Sequence, residues 1–549
     1  MKQLHQADAF IARHPAITII LTSLVYLLWK FFYGNFGLNG FDDTFYMENA
    51  AQMASGKYPF LSDAFGWRWL PIFLLSISYK TIGVCDMSTA IPFIVIFILL
   101  LLTTYYLARD ITNHYAAMLA VAFLLSYRWL VYYADKAMPD ILLALIVTSI
   151  IRLYYRYRCR TEMVAWKAAL GVAILLMAGV LTKELIAFML PICLYLMVLD
   201  APDQRQRAFW FHTVVFTVIL FFVWLLSCYH LTGDPFYRWH ILSANGPVNN
   251  CMYYGETTAV IMKRIGYEMW LSWIGSGAGL IVLGAMVSSV SVLWKKNDND
   301  RGLGYLSVVF IMLVFMVIFG SVSLQFYSPL CSDVRHSFFI LPAGAILSAH
   351  LFADFLRRKT AAIQVFIPLV LCFFCAYVAG FRSSWYLYLP VLLFCLLWSL
   401  SVVKQKLPFY YVCLLLPLLF AGPACTLYRE SQHGYPIQKA KLKKLLALKK
   451  WQGCMIVCDA LRNFYVYYAG YDPHPSLTPI SFRRYNKALA DTCETVYFLY
   501  STYHHLLEGY NDHNLPAPLQ QRHSFEKVYS DGEDFILYAL DKACFPTHL

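Results

Sequence analysis

Two adjacent carboxylates, Asp42 and Asp43, follow the first apolar run of the chain, in the stretch Asn39-Gly40-Phe41-Asp42-Asp43-Thr44-Phe45-Tyr46. A carboxylate held at a membrane surface can take the proton of an attacking hydroxyl. The same pair could instead be favourable charge at the start of a helix over Thr44–Ser55. Three further junctions between apolar runs carry comparable groups. Asp140 follows Met138-Pro139, where it can orient a substrate or cap a helix. Lys183 precedes Glu184 at another turn and can either bind a phosphate or pair with its neighbour. Arg335 and His336, after Asp333-Val334, lead into a run containing Pro342. A guanidinium fork there suits phosphate, or a lipid headgroup. Together these positions supply a base for an incoming hydroxyl and cations for a leaving phosphate.

The elements that must hold these groups are membrane helices. Of 549 residues, 60% are hydrophobic and only 14% charged, so lipid is the solvent for most of the chain. Spans are expected near Pro15–Tyr33, Thr89–Ala108, Tyr115–Tyr132, Ile141–Tyr155, Val164–Thr182, Glu184–Leu199 and Ala208–Leu231. More follow near Trp270–Trp294, Leu303–Leu324, Ser337–Leu356, Ala361–Gly380, Trp385–Val403 and Phe409–Leu427, roughly thirteen in all. The stretch Trp67–Gly83 is excluded from that count by charge. With it lying in the interface, the clusters around Arg109, Arg156, Arg205, Lys295, Arg357 and Lys404 all fall on the cytoplasmic side. The N-terminus is then cytoplasmic, and the 34–88 loop and the tail lie outside. The basic run Lys439–Lys450 opposes this rule, which long terminal domains often escape.

The expected fold is therefore an all-α polytopic membrane domain over 1–428, its candidate catalytic loop at 34–88, followed by a small extracytoplasmic α/β domain over 429–549. In that tail, Cys454–Cys458 and Thr495–Tyr500 read as buried strands, and Phe525–Ser530 with Phe535–Tyr538 as a hairpin turning at Asp531-Gly532. Cys454 and Cys458 are too far apart along one strand to bond each other, which leaves Cys493 or Cys544 as a partner. The net charge of +12 is explained by topology rather than by nucleic-acid binding. The lack of an Asn-x-Ser/Thr sequon favours a bacterial source.

These residues resemble those of GT-C glycosyltransferases of the protein O-mannosyltransferase and lipid A aminoarabinose transferase type. Asp42-Asp43-Thr44-Phe45-Tyr46 with Met53-Ala54-Ser55-Gly56 is similar to that family's Asp-Glu-x-x-Tyr…Ala-Ser-Gly run, with Asp43 in place of Glu. Met138-Pro139-Asp140, Leu181-Thr182-Lys183, Arg335-His336…Pro342 and Arg68-Trp69-Leu70-Pro71 resemble its later motifs, with Glu184 where the family has Gly. The resemblance implies thirteen spans, two amphipathic helices in the first outer loop and an outer terminal domain. It also implies Asp42 or Asp43 as the base, Asp140 beside it, Tyr46 in the substrate pocket, and Lys183, Arg335, His336 and Arg68 on the donor phosphate.

The reaction expected from these readings moves a sugar from undecaprenyl or dolichyl phosphate to an acceptor hydroxyl at the outer face of a bacterial inner membrane, with inversion. The acceptor is a lipid, glycan or protein. No cofactor is required, and a divalent metal is not demanded because cationic side chains can do its work. The competing readings are a polyprenyl-linked glycan ligase, which uses a pyrophosphate donor, and a lipid or solute transporter. A transporter calls for ionisable groups or broken helices at mid-membrane depth, and the expected spans are nearly free of charge there.

Overall fold

The computed structural model describes residues 13–33, 36–38, 42–59, 65–159, 163–244, 253, 255–295, 301–323, 327–357, 362–380, 387–389, 391–392, 395, 424, 428, 435–448, 451–457, 459–471, 476–481, 493–501, 525–533 and 535–540. Long uninterrupted apolar runs satisfy their backbone groups internally as helices. Among the described residues, five helical segments are long and apolar enough to cross a bilayer: Pro15–Phe32, Asp86–Ile111, Gln204–Thr232, Arg301–Phe319 and Val334–Ala353. A sixth would form from His114–Ser126 with Arg128–Asp135, which bend by 70°. The bend corrects the expected continuous span Tyr115–Tyr132. Tyr127 adopts an extended backbone (φ −82°, ψ 103°) and its hydroxyl donates to Ser276 Oγ at 3.2 Å. Expected spans Trp385–Val403 and Phe409–Leu427 lie almost wholly outside the described residues.

Two of the expected spans begin irregularly, and both carry candidate site residues. The run after Lys183 starts as a 3-10 turn, Glu184–Phe188, before the helix Met189–Asp200. The run after Asp333 does the same, with 3-10 residues Val334–Ile340 before Leu341–Arg357. Pro191 and Pro342 stand in the first turns of the two α-helices, where a missing N–H leaves no bond unmade. The stretch assigned to the interface is the helix Trp69–Ile82. Its 14 residues extend about 21 Å, short of the roughly 30 Å hydrocarbon core.

The chain groups into two compact units, one of residues 1–29, 60–71 and 93–426, the other of 30–59, 72–92 and 427–549. The first is a helical bundle whose basic helix ends are dressed with aromatic rings. Arg152 lies over Tyr106 at 5.1 Å, and Arg205 over Tyr157 at 4.7 Å. The second unit gathers the first-loop helix Asp42–Ala54 with a five-stranded sheet.

That sheet comprises β1 Gly453–Val457, β2 Leu477–Ser481, β3 Val496–Ser501, β4 Glu526–Ser530 and β5 Phe535–Leu540, ordered β2-β1-β3-β5-β4. β1 pairs in parallel with both neighbours, so its Cys-Met-Ile-Val run is buried on both faces. β4 and β5 form the expected antiparallel hairpin. β2 was not expected, because Pro479 interrupts its apolar run; as an edge strand it tolerates the lost donor. Gly453 opens β1 at φ +120°, and an added Cβ would lie 2.2 Å from the Thr495 carbonyl oxygen. Cys454 is bridged to Cys493 with a Cα–Cα distance of 5.8 Å; Cys458 and Cys544 lie outside the described residues.

The basic run becomes the helix Tyr435–Ala447, and its lysines have partners within this unit. Buried Lys439 donates to the carbonyls of Phe36 at 3.1 Å and Leu38 at 2.8 Å. Lys443 reaches Asp86 at 2.7 Å and Lys444 reaches Asp531 at 3.0 Å. Much of the charge that conflicted with an outer location therefore serves local structure.

Candidate active site

The helical unit brings Asp140, Lys183 and His336 together from three separate elements. Asp140 is in the first turn of Pro139–Cys159, where the helix dipole favours its charge. Lys183 stands in extended conformation between Val180 and the 3-10 turn that follows. Its Nζ lies 2.5 Å from Asp140 Oδ1 and 2.8 Å from His336 Nδ1. A charged ammonium has no lone pair, so it donates to Nδ1 and leaves the imidazole proton on Nε2. His336 Nδ1 is also 3.6 Å from Asp140 Oδ1. Burial pushes the Lys183 ammonium down, Asp140 pulls it back up, and the guanidiniums of Arg68 and Arg335 lower it further; it ends below the usual lysine range.

Arg335 belongs to the same neighbourhood. Its Nη1 lies 3.5 Å from Met138 Sδ, and its Nε lies 2.9 Å from Asp333 Oδ2. Asp333 in turn accepts the Arg335 backbone N–H at 3.0 Å and so sets the start of the 3-10 turn.

Glu184 faces a different set of partners from Lys183, so the expected pairing of these two neighbours gives way to Lys183 with Asp140 and Glu184 with arginines. Arg68 Nη2 donates to Glu184 Oε2 at 2.9 Å, and Arg238 Nη2 donates to Oε1 at 2.6 Å. Arg238 was missed in the sequence. It is buried, donates to the Val180 carbonyl at 2.6 Å, and lies over the Trp224 ring at 5.9 Å. A lone arginine inside Phe236-Tyr237-Arg238-Trp239, just beyond a span, was the available signal. Trp67, Trp69 and Tyr237 pack around this clamp, with ring centroids 5.1 and 5.2 Å apart.

Asp42 and Asp43 belong to the other unit, on the helix Asp42–Ala54, which starts two residues earlier than expected. Asp43 is fully buried, whereas Asp42 is half-buried. Burial pushes the phenols of Tyr79, Tyr468 and Tyr471 far above the usual tyrosine range, and the Asp43 carboxylate adds to each shift. Asn463, from the helix Asp459–Tyr468, approaches Thr44 Oγ1 at 3.5 Å. Tyr46 is buried in the core of this unit.

Tyr471 has φ +58°, the only non-glycine among the described residues in the left-handed region. A bulky residue there costs on the order of 1–3 kcal/mol, so packing must hold it. Its N–H closes the end of the preceding helix on the Val466 carbonyl at 2.9 Å. Neither Asn463 nor Tyr471 carries a sequence signal that points to Asp43. Among the described residues, no group of three or more His, Cys, Asp or Glu side chains is placed to hold a metal ion.

The chain is similar to known proteins in part of its sequence and in its fold. Residues 69–227 match the sequence profile of the dolichyl-phosphate-mannose-protein mannosyltransferase family. The crystal structure of ArnT from Cupriavidus metallidurans in the apo state superposes with a TM-score of 0.60 at 14% identity, covering 97% of this chain and 99% of ArnT. The chain has the GT-C fold. ArnT from Cupriavidus metallidurans bound to undecaprenyl phosphate superposes on this chain with a TM-score of 0.58 at 15% identity, covering 96% of it and 98% of ArnT. No curated protein sequence matches significantly.

Proposed function

We propose that the chain is an integral-membrane glycosyltransferase that moves a sugar, a hexose or a pentose, from a polyprenyl phosphate to an acceptor hydroxyl at the extracytoplasmic face of a bacterial plasma membrane. The observation that carries this reading is the meeting of Lys183, His336 and Asp140 from three elements, with Arg335 and the Arg68–Arg238 clamp in the same unit. Such a cluster suits a phosphate that gains charge as it leaves. The match to a family named for a dolichyl-phosphate sugar donor, and the GT-C fold shared with ArnT, whose structure holds undecaprenyl phosphate, support the same donor class.

In the proposed reaction Asp42 takes the proton of the acceptor hydroxyl. The acceptor oxygen bonds to the anomeric carbon as the bond from that carbon to the phosphate oxygen breaks. The bonding pair goes to the phosphate, which departs as the polyprenyl monophosphate. One in-line displacement inverts the anomeric centre. Asp42 is preferred to Asp43 as the base because it is the more accessible of the two. Asp43 then fixes the helix that carries Asp42. Asp140 orients Lys183 and His336, and Arg335 and Arg68 bind the donor phosphate beside them. Tyr46 supports this helix from within the core. The reaction uses no cofactor, and the acceptor is a lipid, glycan or protein.

The test supplies purified protein with polyprenyl-phosphate sugars and follows acceptor and lipid products by mass spectrometry. Transfer that needs Asp42 and releases monophosphate supports the reading. Release of pyrophosphate assigns the chain to the ligases instead.

A further inference from the structure

The Arg68–Glu184–Arg238 clamp bears on which phosphate the site retains. Each guanidinium grips a separate oxygen of the Glu184 carboxylate, at 2.9 and 2.6 Å, as a fork would grip two oxygens of a phosphate. The Glu184 side chain is 31% exposed while that of Arg238 is only 4% exposed, so the carboxylate is the accessible part of the clamp. Glu184 is tethered next to Lys183 along the chain. Two guanidiniums and one carboxylate leave a single net positive charge.

We propose that Glu184 tempers the attraction of this clamp for phosphate charge, so that a doubly charged phosphomonoester is held less tightly relative to a singly charged phosphodiester than two unopposed guanidiniums would hold it. The proposal rests on the reading of this cluster as a phosphate site. A polyprenyl-phosphate sugar is a diester with one negative charge. The released lipid is a monoester, which carries about 1.5–2 negative charges at neutral pH. The Glu184 carboxylate repels every ligand charge, so it opposes the monoester about twice as strongly as the diester. It therefore eases release of spent carrier more than it weakens the hold on substrate. The resembling motif has glycine at this position, so discrimination of this kind is a property of this chain's own residue.

The experiment uses the full-length protein in lipid nanodiscs and two probes, undecaprenyl phosphate and its monomethyl ester. Dissociation constants are measured at pH 7.5 for the wild type, E184Q and E184D. Removing the carboxylate charge should tighten the monoester about tenfold and the diester roughly threefold, since the interaction scales with ligand charge. E184D keeps the charge and should keep the wild-type monoester-to-diester ratio.

An unchanged monoester-to-diester ratio in folded E184Q, or an E184D ratio that matches E184Q, overturns the proposal. A second measurement varies the pH. Between pH 5.5 and 8 the monoester passes through its second ionisation near about 6. Relative to the diester, whose charge is constant and which corrects for titration of His336 and Lys183, its affinity should climb less with rising pH in the wild type than in E184Q. Equal climbs in the two proteins overturn the proposal. If the wild type binds neither lipid, the phosphate-site reading itself fails, and this inference with it.

Discussion

The two ends of the helix Pro139–Cys159 hold the same residue types in different ways. At the basic end, Arg158 lies 3.1 Å from Asp200, whose carboxylate also accepts from Trp210 Nε1 at 2.9 Å and from the Tyr154 hydroxyl. The Asp200 side chain is 1% exposed, and its donors come from helices packed around it. At the other end, about 27 Å away along the helix, Asp140 meets Lys183 and His336 at the irregular starts of two other spans. The Arg68–Glu184–Arg238 clamp is joined to that cluster through the Lys183–Glu184 turn. Charge inside an apolar bundle is therefore not itself a sign of function. What separates the ends is backbone irregularity and an excess of cations.

The largest effect that sharpens this contrast is expected at the base. Asp42→Asn should lower transfer by on the order of a thousandfold while leaving expression and melting temperature near wild type. Asp43→Asn should act first on the melting temperature, because its carboxylate is buried among tyrosines. Full activity in both variants would remove the pair from the mechanism.

Asp200→Ala comes next and should do the opposite of Asp42→Asn. Leaving half-buried Arg158 and the buried Tyr154 and Trp210 donors without their acceptor should cost about 3 kcal/mol of stability, with turnover per folded molecule unchanged. A thermal melt set beside initial rates checks both halves. Loss of turnover without loss of stability would erase the distinction between the two ends.

Arg335→Ala should raise the apparent KM for the lipid donor about tenfold with a smaller change in kcat, consistent with one lost charge-assisted contact. The smallest effect expected is a shift in pH profile. Lys183 is held below the usual lysine range, so activity should fall on the alkaline side at a pH below about 10.4 as the ammonium loses its proton. Lys183→Arg should retain charge throughout and remove that limb. A limb unchanged in the arginine variant would assign it to another group.

Much of the bundle was legible because lipid imposes one rule on every span, and apolar run length reports it. The irregular places were less so. Tyr127 breaks a run that is apolar on both sides, and its contact with Ser276 is set by tertiary packing. The order of motifs located Asp42, Asp140, Lys183 and Arg335, because charges are conspicuous in an apolar sequence. Their partners were not legible. The pairing of Lys183 with Asp140, and of Glu184 with Arg68 and Arg238, depends on how an extended lysine and a 3-10 turn aim successive side chains. The tail shows the same limit, since Pro479 concealed an edge strand and the strain at Tyr471 has no counterpart in composition.

The central claim is a displacement of polyprenyl phosphate that depends on an accessible carboxylate. The most direct measurement is the lipid product formed from a polyprenyl-phosphate sugar by wild-type protein and by Asp42→Asn in the same lipid environment. The account predicts polyprenyl monophosphate from the wild type, in step with glycosylated acceptor, and essentially none from the variant. Equal release by both proteins, or a pyrophosphate product, would contradict it.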